Sequence, residues 1–491
     1  MATTTTPSLH LLSTTTTTAL ASALEKAPDL APLLDTYAAI ADSIALFSLP
    51  PPERFGAMSD AVFGSRKLKE VTKTHLLPLT QREEYAPAPL SSTSVLVIGA
   101  GPGGLRTAIE AALLGADVAV VEKRTSFSRN NVLHLWRFCV HDLRGLGVRS
   151  LCPQFCRGGL NHVSIKGLQL ALSKIACLLG VRFFSGVSVD GISPFDPTTG
   201  RWHLESPSDL PPDLEAFAFD AVVGAAGASS FRLRGFSAST FRANPALGVT
   251  ANFVRLRGRG DVSLKEIPGV SRQYHRDAFD AIETSTGVAL QNFVLYKDST
   301  VYVVCTVAES SLASRGVFLD PDLPLDQLLA PGNRDQTAFL ALVKDVVHEA
   351  SLMFGGSALS DPEFALNARG DPDVALFDFT EIEFCDAAAR CESAAPHDPS
   401  KSLVLAHVGD QLVAPFWPQG TGASRAILSA LDTCHLLVQL ASGVDPVSAI
   451  EERNRVYTLL SSTNDHNIRS TFSSHTFRPS TRYDFIPPAA T

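Results

Sequence analysis

Three glycines, Gly99, Gly101 and Gly104, stand in the order G-x-G-x-x-G within the stretch GAGPGG, and a carboxylate, Glu122, follows Gly104 by 18 residues. Glycines at that spacing permit a tight turn (Gly99), a close approach of backbone to a pyrophosphate (Gly101) and the packing of a helix on its strand (Gly104). An acidic side chain about 20 residues further on is suited to gripping ribose hydroxyls. The chemistry these residues point to is dinucleotide binding. Directly after Glu122 the chain reads EKRTSFSRNNVLHLW, where Arg124 and Arg129 can neutralise phosphate. Asn131 in the same stretch can hydrogen-bond a ribose or the edge of a flavin ring.

A second glycine-rich turn, GDQLVAPFWPQGTG, runs from Gly409 to Gly422. The first turn alone does not choose between NAD and FAD; the second does. Asp410 ends an apolar run, SLVLAHVGD, and a long helical pattern begins near Gly420 and Gly422. If that run joins the first sheet, Asp410 reaches the ribityl or ribose hydroxyls of an extended cofactor. The helix then points its positive end at the ring, where reduced flavin carries negative charge. The two turns are thus expected to hold opposite ends of one FAD. Trp417, flanked by Pro415 and Pro418, reads as a rigid platform, and Trp417 and Asn131 are the residues expected to shape the space over the flavin.

The elements that must position these groups follow from hydrophobic pattern. VLVIG (95–99) is wholly apolar, as suits a strand buried on both faces of a parallel sheet. A helix over 104–115 and a second strand over 117–124, ending in Glu122, complete a βαβ beginning. A helix over 163–180 and strands near 181–192, 201–206 and 217–224 follow. From about 236 to 310 the pattern is strand-rich (GVTANFVRL, NFVLYKD, TVYVVCTVA), a helical pattern returns at 334–353, and 402–410 and 422–443 read as a buried strand and a long helix. The expected fold is α/β: a Rossmann-type FAD-binding domain carrying an inserted, mainly antiparallel β substrate domain. The expected division is a disordered tail at 1–20 and an N-terminal helical extension at 21–90. The FAD-binding domain takes 91–235 and 365–450, the strand-rich second domain 236–364, and a C-terminal helix and tail 451–491.

Composition sets the outer limits. The 491 residues carry 45% hydrophobic and 19% charged side chains and a formal charge of −9. A net acidic chain is unsuited to generic binding of nucleic acid or anionic membrane. No apolar run is long enough for a membrane span. The eight cysteines form no CxxC pair, and the threonine-rich N-terminus has no Lys or Arg before Lys26, so reduced thiols and a cytoplasmic location are expected. No metal site is expected, and the absence of GxSxG and HExxH leaves hydrolase readings without support.

Taken together, VEKRTSFSRNNVLHLW, HDLRGLG, HVSIKGLQLAL, TANFV, PDVALFDFT, VGDQLVAPFWPQGTG and STRYDFIP resemble the flavin monooxygenase domain of the MICAL family, over residues 21 to 485. The chain stops where that family's calponin-homology and LIM domains would begin. The resemblance implies a hydroxybenzoate-hydroxylase type of fold. It also implies an NADPH-dependent reaction in which reduced flavin and O2 give a C4a-hydroperoxide that oxidises methionine on actin, or releases H2O2 when substrate is absent. It places Gly99, Gly101, Gly103 and Gly104 along the pyrophosphate and Glu122 and Arg124 at the adenosine side. Arg129 and Asn131 would lie nearer the flavin, with Tyr296 reaching it from the second domain, Asp410 at the ribityl chain and Trp417 at the active-site opening. This sequence departs from the family pattern where a DG turn becomes Ala226-Gly227, the following arginines become Ala228 and Ser229, and a Trp-Pro pair becomes Trp136-Arg137. The family's catalytic domain is basic, whereas this chain is acidic, leaving RLRGRG (from Arg255) and SRKLKEVTK (Ser65 to Lys73) as its local basic runs. A flavin hydroxylase of a small aromatic molecule and a non-catalytic scaffold of the same fold remain the alternatives.

Overall fold

The computed structural model describes residues 14–157, 160–228, 230–242, 247–255, 264–378, 381–398, 401–414, 420–460, 462–463, 467–468, 477–483 and 486. The apolar run at 95–99 forms the strand Ser94–Ile98, inside a six-stranded sheet. Across that sheet the order is Ala389–Ser393, Ser402–His407, Ala221–Gly224, Ser94–Ile98, Asp117–Glu122, Arg182–Ser185. Every pair is parallel except the antiparallel edge pair Ala389–Ser393 with Ser402–His407. The apolar run near Asp410 therefore does join the first sheet.

Alternate residues of these strands feed two different cores, which is why they lack a polar face. Val95, Val97, Val118, Val120, Val223 and Ala406 lie in one core, with the helices Pro102–Leu113, Ile165–Leu178 and Gly422–Ala441. Leu96, Ile98, Ala119, Val121, Val222 and Leu405 lie in the other, with Trp202, Leu214 and Phe217. In register, Ile98 faces both Val121 and Gly224, and Gly224 also faces His407. The carboxyl ends of four strands thus reach one edge, and Gly99, Glu122, Ala225 and Val408 leave it side by side.

The turn at that edge tolerates no side chain at two positions. Gly99 has φ +111°, and a Cβ there would lie 2.5 Å from the Ala225 carbonyl oxygen. A Cβ on Gly104 would lie 2.0 Å from the Gly99 carbonyl oxygen, so the helix rests directly on the turn it follows.

The strand-rich middle forms a five-stranded antiparallel sheet in the order Ile267–Ser271, Leu290–Lys297, Thr300–Val307, Leu247–Val254, Val374–Asp378. Its period-2 alternation separates two faces. Phe293, Leu295, Val301, Val303 and Cys305 pack under the helices Arg276–Thr286 and Gln336–Gly355. Val294, Tyr296, Tyr302 and Val304 form a small cluster with Val132 on the opposite face.

Two stretches differ from the sequence expectation. The helix Thr14–Lys26 begins inside the stretch expected to be a tail, because Ala21 and Leu24 are fully buried and carry the helix back through the threonines. Val374–Asp378, expected within the first domain, is an edge strand of the second sheet, paired with Leu247–Val254. Its pairing joins residues far apart in sequence, which a five-residue run does not reveal.

The two glycine environments predict opposite outcomes for one substitution. Gly104→Ala should cost about 2–3 kcal/mol of folding stability through forced overlap with backbone. Gly101→Ala, whose Cβ would meet only the Ala225 oxygen at 3.8 Å, should cost about 1 kcal/mol or less. Urea unfolding midpoints of the two variants check this; equal losses would contradict it.

Candidate functional site

A cavity of about 430 Å3 lies between the carboxyl edge of the six-stranded sheet and the open face of the second sheet. Ligands of open α/β sheets bind at such an edge, and the volume falls in the ~300–1,000 Å3 range of ligand pockets. The first wall is the glycine cradle, with Gly99, Gly101, Gly103 and Gly104 all at the cavity surface. Gly101 caps the helix Pro102–Leu113 without a side-chain hydrogen bond. The helix therefore presents backbone N–H groups and the positive end of its dipole to whatever lies in the cavity. Glu122 lines the cavity and braces the turn: one oxygen accepts from the Ala100 N–H at 2.8 Å, the other from the Arg124 N–H at 2.9 Å. Each oxygen keeps a second lone pair for a hydroxyl donor.

The opposite wall is the late turn. Gly409, Asp410, Gly420, Thr421 and Gly422 line the cavity, and the helix Gly422–Ala441 also begins without a side-chain cap. Among the described residues, the buried Thr421 hydroxyl has no hydrogen-bond partner. The two walls touch, since a Cβ on Gly103 would come within 3.2 Å of the Ala426 Cβ. Burial pushes the Asp410 carboxyl up to about 6, against the pull of the Arg129 cation, which lowers it. Trp417, with Pro415 and Pro418, lies outside the described residues.

The remaining walls come from the loop after the second strand and from the second sheet. Arg124, Arg129 and Asn131 line the cavity, as do Tyr296 and Tyr302 from facing strands. The Asn131 amide donates to the Tyr302 hydroxyl at 3.1 Å. Its neighbour Asn130 donates to Asp373 at 2.8 Å, on an oxygen that also accepts from Asn252 at 2.9 Å. Tyr296 lies 4.1 Å, ring to ring, from His162, whose Nδ1 meets Glu266 at 2.9 Å. Burial raises the Glu266 carboxyl, but hydrogen bonds from His162 and the Lys297 N–H outweigh it and hold the group below its ordinary value.

Every expected site residue among the described ones therefore lines a single cavity. Others there were not expected. Gln169 donates to the Ala100 carbonyl at 2.9 Å, and Val187 to Asp190 border the cavity from an undistinguished loop. Thr421 was not singled out either, although its place between the two glycines of the late turn is a signal that could have found it.

The departures from the family pattern have local consequences. The Ala226 N–H donates to the Gln411 side chain at 2.8 Å, and Gln411 donates in turn to the Phe231 carbonyl at 2.6 Å, so the turn is closed without an aspartate. Trp136 is buried in the core, its backbone N–H on the Ser424 hydroxyl at 3.0 Å, rather than in the cavity lining. Lys67 and Lys73 of the first basic run lie 3.7 and 4.0 Å from Glu25 and Asp60, and Lys69 lies over the Phe63 ring. The second run continues beyond Arg255 outside the described residues.

Among the described residues, no group of three His, Cys, Asp or Glu side chains could hold a metal ion, and no helix is long and apolar enough to cross a membrane. The cradle fits a dinucleotide on the chain's own features: two uncapped helix starts, an orphaned buried hydroxyl, and backbone exposed where glycines leave room. Comparison with known proteins agrees. Residues 94–133 match a model described as an FAD binding domain, and residues 245–378 match one described as the Mical, Rossman domain. The chain is 42% identical over 391 residues to the [F-actin]-monooxygenase mical1 of Danio rerio, covering 80% of this chain and 31% of that protein. It is 40% identical over 401 residues to the [F-actin]-monooxygenase MICAL1 of Mus musculus, covering 80% and 37%. Against MICAL2 of the same organism the figures are 40% over 401 residues, covering 80% and 20%. The chain thus spans well under half the length of these relatives. Within that span its residues match the Rossmann-domain model of the Mical family and an FAD binding domain model, at about 40% identity to these MICAL proteins.

Proposed function

We propose that this chain is an FAD-dependent monooxygenase that uses NADPH as reductant and oxidises a methionine thioether on a protein, with filamentous actin as the partner. The observation that carries the reading is the meeting of two uncapped helix starts across one cavity, Gly101 on one side and Thr421 on the other. The partner is argued from the relatives, each named an [F-actin]-monooxygenase.

When bound, FAD supplies the two-electron chemistry that activates molecular oxygen. In balance, NADPH, a proton, O2 and a thioether give NADP+, water and a sulfoxide. The chain's own residues bind, orient and exclude water. Gly99 to Gly104 and the helix behind them hold pyrophosphate, with Arg124 and Arg129 compensating its charge. Glu122 accepts from ribose hydroxyls at the adenosine end. Asp410 accepts from the ribityl chain, and Gly420 and Gly422 bring the late helix start to the ring. Asn131, fixed by the Tyr302 hydroxyl, and Tyr296 wall the space where a thioether enters. Oxidation without a bound substrate would release H2O2.

Three outcomes follow. FAD added to purified protein should bind with a visible flavin band, and Gly101→Ala should weaken that binding about tenfold or more, because its Cβ enters the phosphate path. Equal affinity in the variant would remove the cradle from the site. NADPH oxidation should accelerate on adding filamentous actin; acceleration by a soluble phenol instead would favour an aromatic hydroxylase, and a colourless, inactive protein a scaffold. The third outcome concerns Asp410. Its carboxyl lies near 6 in the fold against an ordinary 3.8, so the folded state holds more protons between those values and loses stability as pH rises through them. A hydroxyl donor favours the ionised form. FAD affinity should therefore rise from about pH 5 to about pH 7, and Asp410→Asn should flatten the profile; parallel profiles would contradict the role.

A further inference from the structure

The loop that carries Arg124, Arg129 and Asn131 leaves the first sheet with the Arg124 N–H on the Glu122 carboxylate at 2.9 Å. Between Arg124 and Arg129, its backbone is anchored by the N-terminal helical extension. The Asp29 carboxylate begins the helix Leu30–Ser43, and one oxygen accepts two N–H groups, that of Leu30 at 2.8 Å and that of Phe127 at 2.8 Å, 98 residues away in sequence. Beside it, the Ala31 N–H donates to the Thr125 carbonyl at 3.1 Å. The two bonds fix the loop at Thr125 and Phe127, between the two arginines. Phe127 is buried and lines the cavity. The turn that presents Asp29 is itself secured from behind: the buried Lys174 ammonium donates to the Glu25 carbonyl at 2.6 Å and the Ala27 carbonyl at 3.1 Å. Lys174 lies on the helix Ile165–Leu178, which also sends Gln169 to the cradle at Ala100.

We infer that Asp29 is a positioning residue for the dinucleotide: it clasps the loop at Phe127 and so sets the aim of Arg124 and Arg129 toward the pyrophosphate. This rests on the FAD reading given above. The physical basis is entropic. A loop of polar residues with exposed arginines would spend its freedom on many orientations, and each residue held in advance is one less to order when the ligand binds. A charged acceptor shared by two backbone donors is a strong anchor for its size. Asp29 is not among the residues lining the cavity, so its effect on the ligand runs through the loop.

The test uses the full chain with three substitutions and three readouts: amide hydrogen exchange at Phe127 in the protein without flavin, the dissociation constant for FAD by flavin fluorescence, and the melting temperature. Asp29→Ala should speed exchange of the Phe127 amide and weaken FAD binding about tenfold, the order expected for losing one hydrogen bond to a charged group. Asp29→Asn, which keeps the acceptor oxygen, should restore both toward the wild-type values. Asp29→Ser can still cap a helix but is too short to span to Phe127, and it takes the place of Asp29→Ala if that variant does not fold. A helix-capping role alone would lower the melting temperature in Asp29→Ala while leaving Phe127 exchange and FAD affinity unchanged, and that result overturns the inference. If the wild-type protein itself does not bind FAD, the proposed function fails, whereas the exchange readout still reports whether Asp29 holds the loop.

Discussion

The structure turns on the close approach of two helices that begin in glycine turns far apart in sequence. Gly103, at the start of Pro102–Leu113, lies against Ala426 of Gly422–Ala441, where a Cβ would find only 3.2 Å. That contact brings two helix starts to one edge of the sheet, each with backbone N–H groups that no side chain caps. The parallel strand Ser402–His407 makes the approach possible, because its pairing with Ala221–Gly224 carries the late turn to the edge where the early one already lies. A side chain at Gly103 would push Ala426 back by a few tenths of an ångström, and without the strand order the late turn would not reach the edge where the early one lies.

Around this constraint the other elements serve as supports. The second sheet turns one face to its own helices and the other, with Tyr296 and Tyr302, to the cavity. A run of polar contacts from Asn130 and Asn131 to Asp373, Asn252 and Tyr302 ties the loop after Glu122 to that face. The N-terminal helices hold the same loop from its other side. The cation-bearing segment is thus bridged between two parts of the chain, and the geometry of the site depends on both.

Much of this was readable in the sequence because it is written in local pattern. VLVIG and SLVLAHVGD are apolar throughout because both of their faces are buried, and GxGxxG is constrained by contacts within a few residues. Gly99, Gly101, Gly104, Glu122, Arg124, Arg129, Asn131, Asp410, Gly420 and Gly422, singled out by chemistry and spacing, all border one cavity, as do Gly103 and Tyr296, which only the family resemblance brought in. What stayed hidden depends on contacts between distant segments. Asp29 is an ordinary helix start in sequence, and nothing local shows that it also accepts from Phe127. Gln169 looks like a polar position on an amphipathic helix. Val374–Asp378 is too short to announce which sheet it joins, and the threonines at 14–18 are poor helix formers that become helical only because Ala21 and Leu24 beyond them are packed.

The central claim is that one extended flavin nucleotide is clasped between the early cradle and the late helix start. A crystal structure of the protein with FAD tests it most directly. The account requires the pyrophosphate against Gly99 to Gly104 and the ring system against Gly420 to Gly422, with Asp410 beside the chain that joins them. A nucleotide seated at the cradle with its ring turned away from the late helix would contradict it.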